Sequence, residues 1–206
     1  MKESRRRRRP VRQPVRERAP GDTVVDANEE LREVYLIGTV NAEMAAGAIK
    51  ALRDFDATPG EITVVIASTG GEEGAGWAMY DAILLCKNKT VARVYGECQS
   101  IAALVLQACD RRTMSPNARF MIHNGNIEMS ITTNQMAPYS QEVKTLSSKY
   151  HSVLAERSGR PLKAVEEMCE AETFMSAPEA VENGFADEVI VKPAARRPSR
   201  QKKVKS

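Results

Sequence analysis

Apolar positions alternate between two patterns from about residue 34 onward. Short β-rich runs, one of them a nearly continuous apolar segment at 61–68, predict strands that are buried on both faces. The stretches between these runs have helical spacing, and Asn41 is typical of a helix cap. The predicted strands are 34–37, 61–68, 90–98, 118–123 and 187–191, and the predicted helices are 41–56, 70–86, 100–109, 138–158, 161–171 and one that Ser176 caps. Because strands alternate with helices, we expect an α/β domain with a mainly parallel sheet.

The longest predicted helix carries an apolar stripe that a compact domain of this size would not cover. We expect Pro138 in its first turn and Gly159 at its end. The stripe has a 3-4-3 spacing and consists of Val143, Leu146, Tyr150 and Val153. We therefore predict that this helix packs against another subunit.

Charge divides the chain into three parts, which we take as a domain at 23–191 between tails at 1–22 and 192–206. Residues 1–20 and 192–206 each carry a net charge of +7, and against +3 for the whole chain this leaves −11 for residues 21–191. The tails are rich in proline and poor in apolar residues, so we expect disorder. They are either simply solvated, or they bind nucleic acid or the acidic body of a neighbouring subunit. No aromatic residue is interleaved with the basic ones, which argues against base stacking.

The cysteines and the hydropathy of the chain favour a cytoplasmic protein. The four cysteines show no CxxC spacing and no metal-ligand pattern, so we expect reduced thiols and no metal site. No stretch reaches the roughly 18 apolar residues of a membrane span. No apolar secretory segment follows the arginine-rich start.

Three junctions between predicted strands and helices carry candidate chemistry. His123 ends a strand, at the edge of a parallel sheet where sites form, whereas His151 lies off the apolar stripe and is interpreted as a surface histidine. Ser100 precedes a helix, where it is either a nucleophile near backbone N–H groups or merely an N-cap. Gly70-Gly71 is either a plain turn or a place where backbone approaches a ligand closely.

Taken in order, these segments resemble one family. The motifs are Ser-Thr-Gly-Gly at 68–71, Tyr-Asp at 80–81, Gly-x-x-x-Ser at 96–100, Ser-Pro-Asn-Ala-Arg-Phe-Met-Ile-His at 115–123, and Phe-Met-Ser-Ala-Pro-Glu-Ala at 174–180 followed by Gly184 and Asp187. They are similar to segments of the Clp protease proteolytic subunit family, and the resemblance covers about residues 34–191.

The resemblance implies a crotonase-like fold, a spiral of β-α-β units with a protruding long helix for ring assembly. It implies homo-oligomeric rings, usually of seven subunits stacked face to face, which hydrolyse polypeptides inside a chamber. An ATP-driven AAA+ unfoldase would feed that chamber, and the subunit itself would need no cofactor. By position, Ser100 is the nucleophile and His123 the base. The backbone N–H groups of Gly70 and Ile101 form the oxyanion hole beside Gly71.

The sequence departs from the family pattern in several places. Glu172 stands where the family has its orienting aspartate, and its additional methylene changes its reach. The nucleophile segment at 97–103 is bulkier and more charged than is usual, and the segment around 110–112 is shorter. The arginine-rich tail replaces the N-terminal segment that contacts the unfoldase.

These departures leave alternatives to an active serine endopeptidase in an oligomeric chamber. The divergent nucleophile segment favours a bacteriophage member that processes capsid proteins. The glutamate at position 172 favours an inactive ring subunit paired with an active paralogue. An enzyme acting on acyl-CoA thioesters would share the fold but would not need Ser100 and His123.

Overall fold

The computed structural model describes residues 24–126 and 132–191. The strands within these ranges are β1 (Val24–Asn28), β2 (Glu33–Val40), β3 (Ile62–Gly71), β4 (Thr90–Gln99), β5 (Arg111–Met114), β6 (Arg119–Ile122), β7 (Thr173–Ser176) and β8 (Glu188–Val189). The helices are α1 (Ala42–Asp56), α2 (Glu73–Leu84), α3 (Ile101–Gln107), α4 (Thr133–Ser158), α5 (Leu162–Glu170) and α6 (Ala177–Glu182). The two basic tails lie outside these residues.

The sheet is mainly parallel, as the alternation of strands and helices predicts. Its main path runs β1-β2-β3-β4-β5-β8, and every pair along it is parallel except β1 with β2. A branch leaves β4, which pairs in parallel with β6, and β6 then pairs antiparallel with β7. The α/β class and the succession of β-α-β units are therefore confirmed.

The core lies where the sheet meets α1, α2 and α3. Strand β3 is buried along its first five residues, which explains its continuous apolar run. Helix α1 begins where the Asn41 side chain accepts the Met44 N–H at 2.9 Å, as a capping residue should. Every residue of α3 is buried, so this short helix is fixed inside the protein.

Helix α4 begins earlier than the sequence predicts. Its N-cap is Thr132, which forms a capping box with Gln135, so Pro138 lies inside the helix rather than in its first turn. Position 138 is still close enough to the start that the missing N–H removes only one of the first intrahelical bonds. The helix ends at Gly159, with φ 71°, as predicted. Residues 132–142 are all exposed, so the first half of α4 projects from the body.

Three strands have no counterpart in the sequence prediction: β1, β5 and β7. Strand β5 replaces the connecting segment expected around 110–112, and its Arg112 side chain is 7% exposed. Because one of its four residues is a buried arginine, this strand lacks the apolar pattern that would predict it. The charge of Arg112 is paired with Asp187. Strand β7 follows α5 directly and ends at Ser176, which caps α6 as predicted.

Candidate active site

Ser100 lies at a sharp turn between β4 and α3. Its φ of 54° and ψ of −127° place a residue with a side chain in a region that normally requires glycine. A serine held on such a strand-to-helix turn presents its hydroxyl at the edge of the sheet. The N–H of Ser100 donates to the Met121 carbonyl at 2.9 Å, which ties the turn to β6. Ser100 is the N-cap residue of α3 by position, but its side chain makes no capping hydrogen bond.

Gly70 provides the space that the Ser100 side chain needs. Gly70 has φ 96°, and a Cβ added there would lie 2.7 Å from the Cβ of Ser100 and 3.2 Å from its Oγ. A side chain at position 70 would therefore displace the hydroxyl.

His123 reaches Ser100 from the neighbouring strand. Strands β4 and β6 are parallel, with Gln99 opposite Met121, so their carboxyl ends bring residues 100 and 123 together. The Nε2 atom of His123 lies 2.8 Å from Ser100 Oγ, within hydrogen-bond distance. The His123 side chain is 15% exposed, which leaves one edge open to a substrate.

Glu172 lies on the other side of the His123 ring. Its Oε1 atom is 3.6 Å from His123 Nδ1, an ion-pair distance that is longer than a hydrogen bond. The Glu172 side chain is 61% exposed, and its backbone has φ 49° at the junction of α5 and β7. That left-handed position favours glycine or asparagine, so a glutamate there costs free energy.

Asp187, the other acid considered near the site, is engaged elsewhere. Its carboxylate accepts hydrogen bonds from the backbone N–H of Arg112 at 2.7 Å and from Arg112 Nε at 3.1 Å. Burial raises the pKa of Asp187, but the hydrogen bonds to Arg112 outweigh it and the pKa lies below its usual value. Asp187 therefore balances a buried charge.

The backbone donors near Ser100 differ from the expectation in one respect. Ile101 is the first residue of α3, so its N–H has no acceptor within that helix. The N–H of Gly70, however, donates to Ser68 Oγ at 3.1 Å and is engaged as the structure stands. Gly71 lines the cleft next to Ser100 and Ile101. The Gly70-Gly71 turn thus lies beside the nucleophile, although the Gly70 N–H does not point to an open position.

A cleft of about 680 Å³ opens over these residues. One wall is formed by Gly71, Ser100 and the loop 123–126, and the opposite wall by α4. The α4 side chains that line it are Tyr139, Val143, Ser147, Tyr150 and His151. The long helix therefore supplies part of the site.

His151 is not the surface histidine that the sequence suggested. It is 8% exposed, and its Nε2 lies 2.8 Å from Asn124 Oδ1. The neighbouring Tyr150 is also buried, and its hydroxyl donates to the Ser100 carbonyl at 3.3 Å. The burial of His151 is not readable from the sequence, because Asn124 of the loop at 123–126 contacts a side of α4 that the apolar stripe does not include.

The arrangement has the groups needed for nucleophilic catalysis by a serine. The hydroxyl of Ser100 touches an imidazole that can accept its proton, and a carboxylate lies on the far side of the ring. The N–H of Ile101, which has no acceptor within α3, belongs to the residue next to the nucleophile and is a candidate oxyanion donor.

Two kinds of site are not found among residues 24–126 and 132–191. No group of three or more His, Cys, Asp or Glu side chains is placed to hold a metal ion. Within the same ranges, no helix combines the length and apolar character needed to cross a membrane.

The comparison with protein families agrees with the motifs. The model of the Clp protease family matches residues 18–193. The match includes every residue of the cleft and begins sixteen residues before position 34, where the resemblance noted in the sequence begins.

Proposed function

This chain belongs to the Clp protease family, and we propose that it is a serine endopeptidase with Ser100 as nucleophile and His123 as general base. The observation that carries the proposal is the contact of 2.8 Å between Ser100 Oγ and His123 Nε2, on a strained turn at the start of α3. Backbone conformations that cost on the order of 1–3 kcal/mol cluster at functional sites, and this supports the assignment of Ser100.

The proposed reaction proceeds through an acyl-enzyme. His123 Nε2 takes the proton of Ser100 Oγ as that oxygen attacks the peptide carbonyl carbon. The oxyanion of the tetrahedral intermediate is held by the Ile101 N–H, and the Gly70 N–H joins it only on leaving Ser68 Oγ. The C–N bond then breaks, and His123 gives its proton to the departing amine. Water attacks the resulting ester by the same steps in reverse and restores Ser100.

We further propose that the peptidase works in the cytoplasm as stacked homo-oligomeric rings, usually of seven subunits in this family, with a AAA+ unfoldase delivering polypeptides. Family membership supports the rings. The projecting first half of α4 supports them too, since it exposes Met136 and Tyr139 to solvent in a single chain. We take polypeptides as the substrate because members of this family hydrolyse them.

One observation favours a second candidate, an inactive ring subunit. Glu172 Oε1 lies beyond hydrogen-bond distance of His123 Nδ1 and is largely exposed. If the carboxylate did not orient the imidazole, turnover would fall by several orders of magnitude while the fold persisted.

Labelling with a fluorophosphonate separates the two candidates. The active peptidase should acquire the label at Ser100, and Ser100→Ala should abolish both labelling and cleavage of a fluorogenic peptide. Loss of the nucleophile typically costs about 10⁶ in turnover. Ser148→Ala, at an exposed serine of α4, should retain both. An unlabelled parent, or an alanine variant that hydrolyses peptide at the parent's rate, would refute the assignment.

A further inference from the structure

Three consecutive residues of α4 contact three different elements around the cleft. The Lys149 ammonium lies 4.1 Å from the centre of the Trp77 ring on α2. The Tyr150 hydroxyl donates to the carbonyl of Ser100, and His151 bonds to Asn124 in the loop after β6. Because successive helical residues lie about 100° apart around the axis, the three side chains face three sides of the helix. Helix α4 is thus connected at one turn to both elements that carry the catalytic pair.

The contact made by His151 is the one closest to the base. Asn124 follows His123 directly in the chain, and its own N–H donates to the Cys169 carbonyl at 3.1 Å. Its side-chain oxygen can only accept, so the Nε2–H of His151 donates. Asn124 is therefore held from α5 through its backbone and from α4 through its side chain. These two bonds fix the backbone immediately after His123.

The surroundings of His151 favour its neutral form. Burial lowers the pKa of His151, and the carboxylate of Glu166 on α5 opposes this only in part. The ring of Tyr150 packs edge-on against it, with the ring centres 5.9 Å apart. A neutral imidazole buried among these groups needs its hydrogen bond, since leaving a buried donor unpaired costs free energy. The bond to Asn124 is thus favoured over contact with solvent.

We propose that His151 is a positioning residue for the catalytic pair: its hydrogen bond to Asn124 holds His123 at hydrogen-bond distance from Ser100. The proposal rests on the proposed peptidase function and adds a residue to its machinery. His151 does not act on the substrate's peptide bond itself, because its Nε2 bonds Asn124 and the base at Ser100 is His123. Its effect is on the geometry of the proton transfer, where a misplacement of about 1 Å can cost on the order of 100-fold in rate.

Substitutions at His151 test the hydrogen bond separately from the packing. His151→Leu keeps the bulk but removes the donor, and it should lower kcat for a fluorogenic peptide about 10- to 100-fold with KM little changed. His151→Gln places an amide N–H near the position of Nε2 and should restore kcat to within about threefold of the parent. The control is Ser152→Ala, the exposed next residue on α4, which should keep the parent's kcat. An unchanged kcat in the Leu variant, or a change in KM alone, overturns the proposal.

A double-mutant cycle with Asn124→Ala examines the same bond from its other end. If His151 acts through Asn124, the double variant His151→Leu, Asn124→Ala should be no slower than the slower single variant. Multiplying effects would mean that the two residues act independently, and would overturn the proposal. Asn124→Ala leaves α4 intact. If His151→Leu fails to fold, the kcat of Asn124→Ala alone still tests whether this hydrogen bond matters.

Crystal structures of the parent and of His151→Leu give a measurement that does not depend on activity. The distance between Ser100 Oγ and His123 Nε2 should lengthen from 2.8 Å beyond hydrogen-bond range in the variant. An unchanged distance overturns the positioning role even if kcat falls. A parent that neither hydrolyses peptide nor reacts with fluorophosphonate would refute the proposed function, and the distance would still decide the role of His151.

Discussion

Two residues of the site, Ser100 and Glu172, hold backbone conformations that cost free energy. Both have a positive φ, 54° and 49°, although neither is glycine. Residues held in such regions persist where the surrounding structure fixes them, and they cluster at functional sites. At Ser100 the turn presents a hydroxyl to His123, and at Glu172 it places a carboxylate on the far side of the same ring.

The charge of Glu172 is the first property to test. Glu172→Gln should leave the fold intact and lower kcat by two orders of magnitude or more, since it removes the negative charge that stabilises the imidazolium of His123. The measurement is kcat for a fluorogenic peptide, with a thermal unfolding curve to show that the variant is folded. The effect should be smaller than the roughly 10⁴-fold loss seen for a buried aspartate, because Glu172 is exposed and 3.6 Å from the ring.

Asp187→Asn is the matched control for that substitution. It should lower stability and leave the turnover of the folded protein little changed. Its neutral amide would leave the buried Arg112 without its countercharge, so the free energy of unfolding should fall by about 2–3 kcal/mol. This is less than for a fully buried pair, because the Asp187 side chain is 37% exposed. If Glu172→Gln turned over as fast as the parent while folded Asp187→Asn did not, the assignment of the third catalytic residue would be wrong.

His151 gives the fold a specific dependence on pH. Burial lowers the pKa of His151 below its ordinary 6.5. Between the two pKa values the unfolded chain binds more protons than the folded one, so stability is lost as the pH falls below about 6.5. The free energy of unfolding, measured by urea denaturation from pH 7.5 to 5, should fall more steeply for the parent than for His151→Gln. The difference cannot exceed about 1.4 kcal/mol per pH unit for one proton. Equal slopes would mean that His151 does not titrate in this range.

Among single residues, the sequence predicted Ser100 and His123 at the ends of two strands and did not predict the burial of His151. The parallel order of the strands is readable from the alternation of elements, and it brings residues 100 and 123 to one edge. The burial of His151 depends on a loop that folds over α4, a contact between segments 27 residues apart. Hydrophobic periodicity describes a helix face and contains no information about which loop covers it.

At the scale of elements, the strands that were missed are short or polar. Strand β5 has the sequence RRTM, and the charge on its Arg112 contradicts the pattern of a buried strand. Its position is recognisable only when the partner Asp187, 75 residues later, is known. The early start of α4 was missed for a local reason: Pro138 is typical of a first turn, and the capping box of Thr132 and Gln135 starts the helix a turn before it.

Close packing of α2 on the start of α3 leads to a prediction about two glycines. A Cβ added at Gly76 would lie 2.1 Å from Ile101 Cγ1, whereas one added at Gly74 would meet nothing within 4 Å. Gly76→Ala should lower the free energy of unfolding by about 1–3 kcal/mol through overpacking. Turnover should also fall, because Ile101 carries the proposed oxyanion donor.

Gly74→Ala is the matched control, since it makes the same change in the same helix. Alanine has the higher helix propensity, so this variant should be more stable than the parent by up to about 1 kcal/mol and equally active. Urea denaturation and peptide hydrolysis measure both variants. Equal stability of the two alanine variants would show that Ile101 adjusts its side chain without cost.

For the molecule as a whole, the central part of the chain is acidic and both ends are basic. Residues 21–191 carry a net charge of −11, and each terminal segment carries +7. In the proposed rings, the acidic body of one subunit would attract the basic ends of another, and this attraction would weaken as salt is added. This long-range attraction adds to any contact that the folded bodies make, and it does not determine which faces meet.

Part of the apolar stripe that was predicted to pack against another subunit is covered by the chain itself, since Tyr150 belongs to the core and Val153 packs against it. The contact between bodies is therefore expected at the first half of α4. Met136 is 58% exposed and Tyr139 is 40% exposed, on a segment that no element among residues 24–126 and 132–191 covers. Apolar side chains on a projecting helix favour burial against another subunit, and closed rings give every copy the same contact. Mass photometry of the parent should therefore show rings at nanomolar concentrations.

Met136→Lys should shift that distribution toward smaller species, because each subunit would bury an unpaired charge at the contact. Leu31→Lys, in the turn between β1 and β2, is the matched control, since Leu31 is 60% exposed and the charge change is identical. This control should keep the parent's distribution. A parent that is monomeric at all concentrations would contradict assembly altogether. Intact rings in Met136→Lys would instead place the contact elsewhere than on α4.

Assembly through α4 should also affect turnover. Tyr150 and His151 connect this helix to Ser100 and Asn124, so loss of the contact should lower kcat in Met136→Lys.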